Sequence, residues 1–105
     1  MERRQALRKP VKIPVKYQLD SVVHGVLTQD LSVGGLCFIA NHFLAKSLKI
    51  PMTIAFDFSE YPVKLMTCVA WVASMPYGEQ YKIGIQFQGM QYSHRNQIEE
   101  LVNQD

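Results

Sequence analysis

The chain has 105 residues, 48% of them hydrophobic, which is enough for one small core and too little for a second domain. No apolar run approaches the ~20 residues that cross a bilayer, and the charged start MERRQALRKP lacks the apolar stretch of a signal peptide, so we expect a cytoplasmic protein without a membrane span. The net charge of +2 is unevenly distributed, because residues 1–16 carry +5 and the remaining residues carry −3. This basic end favours an anionic partner, or it is a solvated tail.

Alternating apolar and polar residues predict six strands. In chain order these are PVKIPVKYQL (10–19), VVHGVLTQ (22–29), GLCFIA (35–40), MTIAFDF (52–58), VKLMTCVAWVAS (63–74) and YKIGIQF (81–87). Proline in the first strand predicts an uncovered sheet edge near residues 10–17, which could support a dimer. Ser93 is a candidate N-cap for one amphipathic helix over about residues 93–103. Short strands with tight connections favour a closed antiparallel barrel or a sandwich.

Cysteine and histidine residues predict neither a disulfide nor a metal site. Cys37 and Cys68 each lie within an apolar strand, where a free thiol behaves as a small hydrophobe, and a cytosolic setting keeps thiols reduced. The three histidines are scattered and share no ligand spacing with the cysteines. We therefore expect no metal and no cofactor.

The stretch DLSVGGL, residues 30–36, interrupts the strand pattern. Asp30 and Ser32 offer polar groups two positions apart, while Gly34 and Gly35 allow positive φ and the close approach of a ligand to the main chain. The same residues also fit an ordinary turn, in which Asp30 caps the backbone and the glycines make the bend. The stretch alone leaves both interpretations open.

A second motif stands near the start of the chain, where RRQALR places Arg4 and Arg8 four positions apart. RxxxR followed by DxSxxG at the head of a strand-rich chain resembles the signature of the PilZ domain family. The later segments TCVAWVAS and YKIGIQF, followed by a helix, resemble the family's usual ending. The resemblance covers nearly the whole chain and leaves no signature position unmatched.

The resemblance implies a fold and a binding function. The expected fold is all-β, a six-stranded antiparallel PilZ-type barrel over residues 10–105 with the C-terminal helix, preceded by a flexible basic arm over residues 1–9. The expected function is a receptor that binds cyclic di-GMP without chemistry and couples its level to an unidentified protein partner, with motility, exopolysaccharide, biofilm or virulence as the output. The expected oligomeric state is a monomer or a weak homodimer.

The family motifs also imply which residues bind the ligand. They are Arg4, Arg8, Asp30, Ser32, Gly34 and Gly35. A guanidinium fork can bond bidentately to guanine or to phosphate oxygens, and a carboxylate can accept from guanine N–H groups. Arg3 extends the motif to RRxxxR, which in the family favours a stacked ligand pair, so we expect two ligands per protomer, although Arg3 alone also fits a solvated charge.

Rival functions make different demands on the sequence. A small barrel with a basic arm could hold single-stranded nucleic acid, but most aromatic residues fall on predicted inward faces, so we expect no DNA or RNA. A ligand-independent interaction module would generally lack the arginines. Catalysis is disfavoured because Ser32 does not match the G-x-S-x-G nucleophile elbow and has no His or paired carboxylate near it in sequence.

Overall fold

Segments with apolar residues at alternate positions form the strands of the structure, a computed structural model that describes residues 7–104. Those residues contain seven strands and one helix. In chain order they are β1 (Lys9–Pro10), β2 (Pro14–Leu19), β3 (Val22–Leu31), β4 (Gly35–Ala40), β5 (Lys49–Ile54), β6 (Val63–Ser74), β7 (Tyr81–Gln88) and α1 (Tyr92–Val102). Over the same range, no helix is both long and apolar enough to cross a membrane.

Antiparallel pairing closes six of the strands into a barrel. The sheet order is β1-β3-β2-β5-β6-β7-β4, and a further β3–β4 pairing joins β4 back to β3. The short β1 adds to the end of β3, where Lys9 lies opposite Leu31 and Pro10 lies opposite Asp30. The predicted six-stranded antiparallel barrel with a C-terminal helix is therefore confirmed, with β1 as an addition to it.

The first predicted strand is broken at residues 11–13, between β1 and β2. The buried Thr28 hydroxyl accepts a hydrogen bond from the Ile13 amide at 2.9 Å and donates one to the Val11 carbonyl. These bonds satisfy main-chain groups at the point where the chain leaves the ladder. Pro14 then begins β2, a position that tolerates its missing N–H.

The uncovered edge predicted near residues 10–17 is not present in β2. This strand pairs with β3 along its whole length and with β5 over Val15–Tyr17. For β2 the prediction was wrong, because barrel closure gives Val15–Tyr17 a partner on both sides, whereas β1, which contains Pro10, pairs only with β3. The predicted edge is therefore reduced to β1, which has two residues.

The fourth predicted strand is shifted toward the N-terminus. β5 ends at Ile54 rather than at residue 58, but Phe56 still reaches the core and stacks on the half-buried Phe58 with ring centroids 4.6 Å apart. Both aromatic rings therefore lie beyond the end of the strand. The helix packs against the same region, since His94 stacks on Phe58 and Ile98 is fully buried.

The helix N-cap differs from the prediction. Gln91 rather than Ser93 holds the N-cap position, without a side-chain hydrogen bond, and Ser93 lies in the first helical turn. The reason is local, because Gly89 adopts a φ of +74° directly after β7 and turns the chain so that the helix starts at Tyr92.

Candidate ligand-binding site

The DLSVGGL stretch forms the tight connection between β3 and β4. The Ser32 amide donates to the Gly35 carbonyl at 2.8 Å, and the Gly35 amide donates back to the Ser32 carbonyl at 3.4 Å. The buried Ser32 hydroxyl donates to the same Gly35 carbonyl at 3.2 Å. Ser32 therefore closes the turn from within, while Asp30 is held at the end of β3 with its side chain at the surface.

The two glycines serve different purposes, and neither adopts the positive φ that the sequence suggested. A Cβ on Gly35 would lie 1.8 Å from the carbonyl oxygen of Ile85, so this glycine is required by the close approach of β4 to β7. Gly34 is exposed, has open space where a Cβ would lie, and accepts a hydrogen bond from the Phe87 amide at 2.8 Å. Gly34 thus leaves the main chain open to a ligand, whereas Gly35 is needed for packing.

Arg8 reaches across the end of β3 to the Asp30 carboxylate. Its Nε and Nη2 atoms donate to Asp30 Oδ1 at 3.1 and 2.8 Å. The pairing of β1 with β3 produces this contact, because it fixes Pro10 opposite Asp30. Arg8 and Asp30, which are 22 positions apart in sequence, are thereby brought together. Side-chain exposures of 44% for Arg8 and 23% for Asp30 leave both groups accessible to a ligand. Arg3 and Arg4 lie outside the described residues.

A row of residues continues from Asp30 across the outer wall of the barrel. Asp30 pairs with Cys37, Cys37 with Gly84, and Gly84 with Trp71. The sequence neighbours of Cys37 and Gly84 fill the core, so alternation points this row outward, although Cys37 and Gly84 are themselves buried. We call these four residues, Asp30, Cys37, Gly84 and Trp71, the outer row.

Trp71 lies directly over Gly84 at the far end of the outer row. A Cβ on Gly84 would come within 2.2 Å of the indole, which remains 42% exposed. Sequence reasoning treated Trp71 only as part of a strand and missed it as a site residue. The register irregularity between Val69 and Trp71 sets its pairing with Gly84, and this irregularity has no clear signal in the sequence.

The electrostatics of the outer row are set by two cations and one carboxylate around Cys37. Burial and the Asp30 carboxylate raise the pKa of the Cys37 thiol, while Lys82 and Arg8 oppose that rise. The net effect keeps Cys37 a protonated thiol at neutral pH. Lys82 lies two positions before Gly84 on β7, so alternation places it on the same outer face, and sequence reasoning missed it too.

Two histidines that are distant in sequence meet elsewhere on the barrel. The rings of His24 and His42 are 4.6 Å apart, and His42 Nε2 shares a 2.9 Å hydrogen bond with the Tyr17 hydroxyl. Burial, followed by the charge of His24, lowers the pKa of His42. This pair shares no residue with the outer row.

The fold and the site together define a class: a closed antiparallel barrel whose N-terminal segment docks an arginine beside an acidic residue on the outer wall. The chain belongs to the PilZ domain family, because the family model of the PilZ domain matches residues 2–104. The resemblance noted from the two motifs is thereby confirmed. No curated protein matches the chain closely enough in sequence to be counted as a relative.

Solved structures with this fold share little sequence with the chain. The Bacillus subtilis inhibitor of motility (MotI/DgrA) superposes with a TM-score of 0.81 at 15% identity, over 97% of this chain and 50% of that one. The PilZ domain of YcgR from Escherichia coli, solved with c-di-GMP, gives 0.73 at 12% identity over 96% and 89%. The MrkH–c-di-GMP complex of K. pneumonia gives 0.69 at 16% identity over 97% and 52%. The chain thus spans about half the length of the MotI and MrkH chains.

Proposed function

We propose that the chain is a receptor for cyclic di-GMP that binds the ligand on the outer wall of the barrel and passes the signal to a protein partner. The single observation that carries this proposal is the Arg8 fork on Asp30 beside the open Gly34 turn. Membership in the PilZ family and the c-di-GMP bound in the similar YcgR and MrkH structures support the choice of ligand.

Arg8 and Asp30 divide the recognition between them. The Nε and Nη2 atoms of Arg8 are turned to Asp30, which leaves the Nη1 donors for a phosphate oxygen or a guanine edge. Both of those bonds fall on Oδ1 of Asp30, so Oδ2 can accept from the N–H groups of guanine. The ion pair therefore preorganises both side chains before the ligand arrives.

Trp71 and Lys82 extend the proposed site along the outer row. Three strand spacings separate Asp30 from Trp71, a span of roughly 14 Å at the usual distance between neighbouring strands. The half-exposed indole offers a flat surface on which a purine can stack, and Lys82 adds a cation for phosphate.

The N-terminal arm completes the proposal. We propose that Arg4 supplies a second guanidinium, and that Arg3 stacks on a purine and offsets the charge of a second ligand, which gives two ligands per protomer. The proposed arm covers residues 1–9, although Lys9 already belongs to β1 and anchors its end to the barrel. Ser32, Gly34 and Gly35 would then shape the turn over which the arm lies.

The proposed activity is binding without catalysis. The Ser32 hydroxyl is committed to the turn and the Cys37 thiol is kept protonated, so neither is an activated nucleophile. Both cysteines are free thiols, which supports a reducing cytoplasmic location.

Single-stranded nucleic acid is the second candidate ligand, because exposed aromatic side chains can stack on its bases. Five aromatic side chains are exposed, namely Phe43, Tyr61, Trp71, Tyr77 and Tyr92. The other six aromatic residues are buried or half-buried, and Trp71 is the one exposed aromatic residue among those of the predicted strands, so most aromatic residues do face inward as predicted. The five lie in different connections and elements, and only Trp71 belongs to the outer row, so cyclic di-GMP remains the better fit.

Calorimetry of the full chain tests the proposal. We expect saturable heat with cyclic di-GMP and none with an oligothymidylate of the same phosphate concentration. Arg8→Ala should abolish measurable binding, whereas Arg95→Ala, which removes an exposed arginine on α1, should leave it unchanged. Binding of the oligonucleotide alone, or equal binding by both variants, would contradict the proposed ligand or the proposed site.

A further inference from the structure

A cleft of about 510 Å³ lies where β2, β5 and β6 adjoin, apart from the candidate ligand-binding site. In the ring of six strands β5 stands opposite β4, so this cleft faces away from the β3–β4 turn that carries Asp30. It shares no lining residue with the outer row. Its volume is within the range of pockets that bind ligands in other proteins.

The cleft opens where β2 and β5 stop pairing. Their ladder ends at Tyr17 and Met52, beyond which Gln18–Leu19 pairs with β3 and Lys49–Pro51 pairs with β6. Pro51 has no N–H to offer across the gap, which explains why the ladder does not continue there. Each strand therefore turns one edge toward the cleft without a strand partner, and such edges are where extended peptides add to sheets.

The lining of the cleft combines apolar side chains with positive charge. Val23 and Met66 line it with exposures of 62% and 44%. Lys16 and Lys64 line it as well, and none of the described residues around it is acidic. An occupant that complements this surface has apolar side chains between carboxylates.

We propose that this cleft docks an extended, acidic and apolar peptide segment of a partner protein, with its carboxylates on Lys16 and Lys64 and its apolar side chains on Val23 and Met66. The inference deepens the partner half of the proposed function, since it gives the receptor a docking surface that shares strand β6 with the outer row but none of its residues. Because the two surfaces share no residue, ligand and peptide can bind together.

Amide chemical-shift mapping on the isotope-labelled full chain tests this proposal. The probe is the blocked hexapeptide DVELEV, compared with the charge-reversed KVKLKV and with an oligothymidylate. We expect DVELEV to shift the amides of Lys16–Gln18, Thr53 and Lys64–Met66, with a Kd at or below about 1 mM that weakens as salt is added.

A charge-matched pair of variants supplies the control. Lys16→Glu with Lys64→Glu should weaken DVELEV binding roughly tenfold or more. Lys12→Glu with Lys46→Glu makes the same change in net charge outside the cleft and should leave binding within about twofold. The proposal is overturned if the hexapeptide shifts no amides at the cleft, if both double variants bind it equally, or if only the oligothymidylate binds there.

The same samples separate this proposal from the proposed receptor function. The Lys16→Glu and Lys64→Glu double variant should bind cyclic di-GMP as the wild type does, because neither lysine lies on the outer row. A chain that binds the peptide but no cyclic di-GMP would refute the receptor function alone. Binding of cyclic di-GMP without the peptide would refute the docking surface alone.

Discussion

Gly84→Ala should displace the Trp71 indole from the outer wall. The new methyl group would stand 2.2 Å from Cε2 and Nε1 of the indole and 2.7 Å from Cδ1. Carbon atoms in contact are normally about 3.5–4.0 Å apart, so the ring must move by more than about 1 Å. The atoms in the way belong to a side chain that is 42% exposed, and it can therefore swing into solvent.

The cost of this displacement follows from the area that the indole loses. Tryptophan buries on the order of 150–250 Å², and losing about 75 Å² of it at about 25 cal/mol per Å² costs about 2 kcal/mol. The substitution of glycine itself returns roughly 0.4–1 kcal/mol through the unfolded chain. We expect a net loss of about 1–1.5 kcal/mol, or a fall in Tm of roughly 5–10 °C. Affinity for cyclic di-GMP should fall about tenfold, because a stacked base is worth about 1–3 kcal/mol.

Fluorescence makes the assay specific, since Trp71 is the single tryptophan of the chain. Gly84→Ala should shift the emission to longer wavelength as the indole enters solvent. Gly25→Ala is the matched control, because Gly25 is also a strand glycine and has nothing within 4 Å of its would-be Cβ. An unchanged spectrum and Tm in Gly84→Ala would refute the described packing. A shifted spectrum with undiminished ligand affinity would remove Trp71 from the site.

Four further substitutions separate ligand binding from stability. Asp30→Ala should weaken cyclic di-GMP binding in calorimetry yet cost less than about 1 kcal/mol in urea unfolding, because the ion pair is solvent-accessible; a larger loss would mean that Asp30 mainly supports the fold. Gly35→Ala should destabilise the chain by roughly 3 kcal/mol or more, because its Cβ would meet a β7 carbonyl at 1.8 Å. Gly34→Ala should change the free energy of unfolding by no more than about 0.5 kcal/mol. Equal melting curves for the two variants would contradict this difference. Arg3→Leu should lower the calorimetric stoichiometry from two ligands toward one, and an unchanged count would show that Arg3 is a solvated charge.

Strand alternation predicted the barrel because half-buried strands must alternate apolar and polar residues. β4 and β6 have the bounds that GLCFIA and VKLMTCVAWVAS predicted. The break at residues 11–13 was not predictable in this way, because it depends on the hydroxyl of Thr28, which is distant in sequence and comes close only in the folded barrel. Local pattern identifies strands, whereas long-range hydrogen bonds decide where they are interrupted.

The candidate site was predictable only where a motif marks it. The paired motifs singled out Arg8 and Asp30, and the pairing of β1 with β3 does bring them together. Trp71 and Lys82 were missed because their positions on the outer face depend on strand register and, for Trp71, on the irregularity in β6. Gly35 was noted for its conformational freedom, but the close approach of β7 is what requires it.

A crystal structure of the full chain with cyclic di-GMP would show whether the outer wall of the barrel is the binding site. We expect the ligand on the outer wall of the barrel, with Arg8 on a phosphate or a guanine edge, Asp30 accepting from guanine, and a base stacked on Trp71. A ligand bound at the cleft between Lys16 and Lys64, or anywhere that leaves the Arg8–Asp30 pair untouched, would contradict this expectation.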